Sequence, residues 1–309
     1  MRTDRYGPTV RAEQRVAAHG VLVAPDGSIA LVRARDGGAG QPRWRLPGGT
    51  VRHGEHPRET VRRVASEELG FGVEPTRVRD ATADVVDLLE RAVSLHTVRL
   101  VYHLQAGVDW WADVPGLDAD PPAVAAAATG RLTLVDLAPF TARALGLVGP
   151  DAPAPIRRVE GRSVEEPEDS GPPRVQRVGA YAVVPDAGRL LLTRYTGSGR
   201  WSLPGGGIDH GELPHEALDR EVHEETGLTL ADVRLADVDS VHFTGHAPDG
   251  TLEDFHAVRI IYHASVPPDA EPAVVEVDGS SDAAAWIPLD QLDRHLVTGF
   301  VGVALRLLG

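Results

Sequence analysis

The chain has 309 residues, of which 42% are hydrophobic and 25% charged, which suits two globular domains that each bury a core. A formal net charge of −14 argues against a general binder of DNA or RNA, which needs a basic face, but not against a small phosphorylated ligand met through a metal. There is no Cys, and the basic residues other than His are all Arg, so disulfides, Cys-ligated zinc, thiol nucleophiles, Lys Schiff bases and a P-loop Lys are excluded.

Taken in chain order, Met1 to Tyr6 lacks the apolar run of a signal peptide, and no stretch of about 18 apolar residues follows. A cytoplasmic protein with no membrane partner is expected. The chain then repeats itself. Gln14-Arg15-Val16 returns as Gln176-Arg177-Val178, and WRLPGG at 44–49 returns as WSLPGG at 201–206. Gly54-Glu55, Arg63, Glu67-Glu68 and Gly70 return as Gly211-Glu212, Arg220, Glu224-Glu225 and Gly227. HTVRLVYH at 96–103 returns as HAVRIIYH at 256–263. The order is kept and the offsets stay between 157 and 162, so the chain is a tandem duplication with small changes in loop length. Trp110-Trp111 reads as core or interface more readily than as a platform for a base. Residues 150–173 are rich in Pro, Gly and acidic side chains and have no apolar period, which is linker composition. The expected division is 1–149, a linker at 150–173, and 174–309.

In the second copy, 177–184 and 189–195 read as strands joined by the turn Pro185-Asp186-Ala187-Gly188. Pro204-Gly205-Gly206-Gly207 forces a loop. Pro214 suits the first turn of a helix that runs through His215 to Thr226, with Ala217, Leu218 and Val222 on one side and Gly227 just past its end. Strands are expected at 233–243 and 255–266, a short one over Ala283 to Leu289 ends near Pro288, and 289–308 reads as helical, interrupted near Gly299 and Gly302.

The helix carries Arg220-Glu221-Val222-His223-Glu224-Glu225-Thr226-Gly227. Residues three and four apart share a helical face, so Glu221, Glu224 and Glu225 form one stripe of carboxylates that repel each other. Arg220 offsets part of that repulsion, and a hard divalent cation with oxygen ligands, Mg²⁺ or Mn²⁺, would offset far more. Such a stripe alone reads as a solvated helix face, but this one follows LPGGG and Glu212 at fixed spacing. His210, His215 and His223 flank it without metal-ligand spacing and read as surface groups.

The full arrangement resembles the Nudix box, G-x5-E-x7-R-E-U-x-E-E-x-G-U with U a bulky apolar residue. It runs from Gly206 through Glu212, Arg220, Glu221, Val222, Glu224, Glu225 and Gly227 to Leu228, with every defining position filled. The resemblance implies an α/β fold of two tandem α/β/α sandwich domains with mixed sheets. It also implies hydrolysis of the diphosphate linkage of a nucleoside diphosphate derivative or related small molecule. By the same resemblance Glu221, Glu224 and Glu225 would hold the metal, one of them would orient or deprotonate the attacking water, and Arg220 would orient the glutamates. Gly206 would let the loop approach them. Arg194 is placed to meet a phosphate, and Asp278 or Asp282 could add a further carboxylate. In the first copy the box runs from Gly49 to Phe71, but Val64 stands where Glu is wanted and Ala65 where a bulky apolar residue is wanted. Loss of one ligand makes that copy non-catalytic in expectation. It could pair with the second as an internal pseudo-dimer, the chain could form a homodimer, or the fold could sense a nucleotide-like ligand without turnover. No signature beyond the box names the substrate.

Overall fold

The computed structural model describes residues 10–33, 44–112, 114, 124–128, 132, 137–148, 156–159, 171–247, 250–276 and 279–308. The chain divides into two compact units, Met1–Val175 with Phe243–Phe255, and Gln176–His242 with His256–Gly309. Of the segment 150–173, only 156–159 and 171–173 are among the described residues, and Asp278 lies outside them.

The first copy runs β1 (Arg11–Val21), β2 (Ser28–Arg33), β3 (Trp44–Arg45), β4 (Gly48–Thr50), α1 (Pro57–Leu69), β5 (Val73–Leu88), β6 (Val93–Ala106), β7 (Val124–Ala128), α2 (Pro139–Ala144) and β8 (Ile156–Val159). One mixed sheet has the order β4-β1-β6-β5-β8, with β1 parallel to β6 and antiparallel to β4. A second, antiparallel sheet has the order β3-β2-β7. Ile29 to Val32 of β2 are all buried, as a strand covered on both faces requires. The core between the sheets gathers Val21, Leu31, Leu46, Val101 and Phe140.

The second copy runs β9 (Arg174–Val183), β10 (Pro185–Asp186), β11 (Arg189–Tyr195), β12 (Trp201–Ser202), β13 (Gly205–Gly207), α3 (Pro214–Thr226), β14 (Ala231–His246), β15 (Leu252–Ser265), β16 (Ser281–Pro288) and α4 (Gly299–Leu308). Its sheets are β13-β9-β15-β14, and β10-β11-β12 with β16 also paired to β11. The core repeats that of the first copy: Val183, Leu192, Leu203, Ile261 and Phe300. Val301 and Ala304 of α4 seal it, while α3 turns its buried Ala217, Leu218 and Val222 inward and packs against β13 and β16. The result is the mixed α/β architecture expected from the sequence, and it sets the polar stripe of α3 beside the glycine-rich β13.

Two elements depart from expectation. Ile156–Val159, inside the stretch read as a linker, forms β8 and pairs parallel with Val85–Leu88 of β5. Residues 289–308 are a 3-10 helix, Leu289–Arg294, and a separate α4 that begins at Gly299. The break lies at 295–298 because Trp201 claims that backbone. Its N–H donates to Leu296 O at 2.8 Å and its carbonyl accepts from Thr298 N at 2.8 Å. Gly302 sits inside the helix.

α3 starts on Pro214, with the Glu216 carboxylate accepting Leu213 N–H at 2.9 Å, and stops at Gly227 with φ of 69° and an N–H bonded to His223 O at 2.7 Å. A Cβ at Gly227 would also come within 3.0 Å of Ala273 O. Gly227→Ala is therefore expected to destabilise the protein by about 1 kcal/mol or more, read as a lower urea midpoint with unchanged slope.

Candidate active site

Arg220 organises the exposed part of the stripe. Its Nε and Nη2 donate to the two oxygens of Glu212, each at 2.9 Å, a bidentate pair that fixes the loop before the helix. Nη1 donates to Glu221 Oε1 at 2.8 Å and to Glu224 Oε2 at 3.2 Å, and Nη2 also donates to Gly207 O at 3.0 Å. These partners hold its pKa above the ordinary Arg value, the hydrogen bond to Glu212 being the largest cause. Glu221 lies directly against the loop: a Cβ at Gly206 would stand 2.3 Å from Glu221 Oε2, so a side chain there would displace the carboxylate. Burial pushes the Glu221 carboxyl up, Arg220 opposes this, and the Glu225 and Glu224 charges add to it.

Glu225 is held differently. Its side chain is buried, with 2% of the residue exposed. Oε1 accepts from Ser281 Oγ at 2.5 Å and Ser280 Oγ at 3.3 Å, and Oε2 from Gly205 N at 2.9 Å and Thr193 Oγ1 at 3.3 Å. Burial raises its pKa against the pull of these donors. Tyr181 and Tyr195 stand nearby; burial raises the pKa of both, and the charges of Glu225 and Glu221 add to the rise. Sequence reasoning missed Thr193, Ser280, Ser281 and both tyrosines. The one signal it offered was a hydroxyl closing the apolar run Leu190-Leu191-Leu192.

The structure brings Glu212, Arg220, Glu221, Glu224 and Glu225 together around Gly205 to Gly207. Arg194 stands elsewhere. It follows Thr193 on β11, and strand alternation turns it to the opposite face. There its Nε donates to Asp282 Oδ1 at 2.7 Å and its guanidinium lies 5.7 Å from the Trp201 ring centre. His210, His215 and His223 are exposed. Trp110 is buried, its ring stacked 6.4 Å from Phe71, while Trp111 meets it edge-on.

The first copy keeps the loop clamp. Arg63 Nε and Nη2 donate to Glu55 at 2.9 and 2.8 Å. Val64 fills the place of Glu221, and a Cβ on Gly49 would lie 3.3 Å from its Cγ1.

The raised pKa of Glu221 has a consequence for stability. Folding favours its protonated form, so the folded state binds more protons than the unfolded one above the ordinary glutamate value of 4.5, and stability falls as pH rises through that range. In chelator, Glu221→Gln is expected to melt roughly 2–4 °C above the unaltered chain at pH 7.5. The gap should shrink towards pH 4. Calorimetry at both pH values checks this, and a variant that melts lower at pH 7.5 would contradict it. Ser281→Ala, which strips the shortest bond from Glu225, is expected to lower stability by about 1–2 kcal/mol in urea unfolding.

Comparison with known proteins supplies the family. The NUDIX domain profile matches residues 13–127 and 173–304. A MutT-like protein of Streptomyces ambofaciens is 39% identical over 146 residues, 47% of this chain and 83% of that protein. An RNA pyrophosphohydrolase of Photobacterium profundum is 48% identical over 48 residues, 16% of this chain, so the chain spans 28% of that relative's length. A crystal structure of a MutT NUDIX hydrolase from Burkholderia pseudomallei is 32% identical, with a TM-score of 0.35, and covers 44% of this chain and 100% of its own. The chain belongs to the NUDIX family and carries two copies of its domain.

Proposed function

We propose that the C-terminal copy is a pyrophosphohydrolase that cleaves the phosphoanhydride linkage of a nucleoside diphosphate derivative, a nucleotide or a related diphosphate metabolite. In this reading 174–309 is the catalytic domain, 1–149 is a non-catalytic copy and 150–173 joins them. Glu221, Glu224 and Glu225 hold a divalent cation, Mg²⁺ or Mn²⁺. One observation carries the reading: four carboxylates, those of Glu212, Glu221, Glu224 and Glu225, gather with the single guanidinium of Arg220, and burial penalises two of them. Oxygen donors in such excess suit a hard cation.

When bound, the cation lowers the pKa of water and neutralises phosphoryl charge. The protein supplies the rest. The four donors on Glu225 fix one carboxylate in place. Arg220, clamped by Glu212, sets the spacing of Glu221 and Glu224. One of the three glutamates orients the attacking water or accepts its proton. Gly206 lets the loop come up against Glu221, whose carboxylate a side chain there would push aside. Arg194, which holds Asp282 through Nε, is the candidate phosphate ligand. Among the described residues no helix is long and apolar enough to cross a membrane, which fits a small dissolved substrate.

The relatives named RNA pyrophosphohydrolase match over too little of their length to carry a substrate to this chain. The test is therefore a panel: nucleoside triphosphates, nucleotide sugars, other diphosphate metabolites and a 5′-triphosphorylated RNA, with Mg²⁺ or Mn²⁺ and phosphate release as the readout. Glu224→Gln and Glu221→Gln are each expected to lower turnover of the preferred compound by about 10²-fold or more. These variants are cleaner than Glu225→Gln, which would also leave buried donors without an acceptor. No turnover of any compound by folded protein would replace hydrolysis with binding or sensing of a nucleotide-like ligand.

A further inference from the structure

The two copies treat the last glutamate of the box in opposite ways. Glu225 and Glu68 each accept a loop N–H, from Gly205 and from Gly48, both at 2.9 Å. Around Glu225 the remaining donors are neutral hydroxyls. Around Glu68 the donor is a guanidinium. Arg45 forms a bidentate pair with Glu68, through Nη2 to Oε1 and through Nη1 to Oε2 at 3.2 Å. Arg45 Nη1 also donates to Leu46 O and to Gly48 O, each at 3.0 Å. The cation is thus enclosed by two carboxylate oxygens and two carbonyl oxygens, a set of acceptors a hard metal ion would share.

The sequence differences behind this are specific. WRLPGG aligns Arg45 with Ser202 of WSLPGG. Strand register agrees: Val32 pairs with Arg45 as Thr193 pairs with Ser202. Where Thr193 gives Glu225 a hydroxyl, the first copy has Val32, which can give none. Where Glu221 lies against Gly206, it has Val64 against Gly49. One carboxylate is gone, one hydroxyl is gone, and a fixed positive charge stands on the half-buried oxygens of Glu68. Arg63 is meanwhile engaged by Glu55, as Arg220 is by Glu212.

We infer that the Arg45 guanidinium occupies the metal position of the N-terminal copy, so that this copy closes its own box with a resident cation and takes no divalent ion. Loss of Glu at position 64 is then only half of the change, and returning that carboxylate alone does not restore a metal site. The inference rests on the reading of the C-terminal box as a metal site, and the experiment separates the two.

The test uses full-length protein and Mn²⁺ alone, with free Mn²⁺ measured by electron paramagnetic resonance and folding checked by circular dichroism. In the unaltered chain, all tight Mn²⁺ binding is expected to disappear in E221Q/E224Q, which leaves the first copy untouched. Residual binding that Glu67→Gln abolishes, in a variant that circular dichroism shows to be folded, overturns the inference. In the E221Q/E224Q background, V64E is expected to add no tight binding, and R45S/V64E to bind Mn²⁺ at least about ten-fold more tightly than V64E. Equal binding by those two chains also overturns it. An unaltered chain that binds no Mn²⁺ would defeat the proposed hydrolase, while the step from V64E to R45S/V64E would still decide the role of Arg45.

Discussion

In both copies one bond holds the box together, buried in the second copy and half-buried in the first: the last glutamate of the helix accepts the N–H of a glycine in the facing loop, Glu225 from Gly205 and Glu68 from Gly48. Those glycines have φ of 131° and 134°, and a Cβ on either would stand 2.2 Å from the carbonyl of Ala180 or Ala18 in the adjacent strand. The loop can therefore present its N–H to the helix only through glycine. A carboxylate so placed is removed from water, and it needs further partners. Hydroxyls answer that need in one copy and a guanidinium in the other, and the chemistry open to each copy follows from the answer.

Charge decides between the two outcomes. Hydroxyl donors satisfy the lone pairs of Glu225 without cancelling its charge, so the negative excess shared with Glu221 and Glu224 persists and is open to a cation. A guanidinium satisfies the lone pairs of Glu68 and cancels the charge together, and a bidentate pair of this kind is among the strongest a protein forms. The distinction lies in the sign of the donor, since both glutamates keep the same backbone partner.

The repeat, the helix and its stops, and the five box residues that meet around the loop were legible in the sequence because each is local. The stripe at three- and four-residue spacing, Pro214 at the first turn and Gly227 at the cap all lie within about one helix. What escaped was long-range. Ser281 stands 56 residues from Glu225 and Thr193 stands 32 before it, and neither belongs to a motif. Arg45 sat in plain view in WRLPGG, yet its partner is 23 residues on, and only the fold brings the two together. The break at 295–298 escaped for the same reason: glycine positions suggested a hinge, whereas the backbone there is taken by Trp201, nearly a hundred residues away. Arg194 comes just before the loop in sequence, and its pairing with Asp282, 88 residues on, is another contact that only the fold brings together.

A duplicated chain also separates what the fold needs from what the chemistry needs. Both copies keep an arginine on the long central strand, Arg99 or Arg259, paired with Asp84 or Asp239 and lying 4.2 or 4.0 Å from the centre of a phenylalanine ring, Phe140 or Phe300. Both keep a glutamine on the first strand beside a buried histidine, Gln14 with His96 and Gln176 with His256. Both keep the clamp of Arg63 or Arg220 on the preceding glutamate. These contacts persist in a copy that has Val64 in the place of Glu221, so they belong to the scaffold. Three of the positions that differ, Val64 for Glu221, Arg45 for Ser202 and Val32 for Thr193, lie at the box itself. There the first copy exchanges a carboxylate for an apolar side chain, a neutral hydroxyl for a guanidinium and a second hydroxyl for an apolar side chain, while the paired arginines, glutamines and histidines of the scaffold are kept.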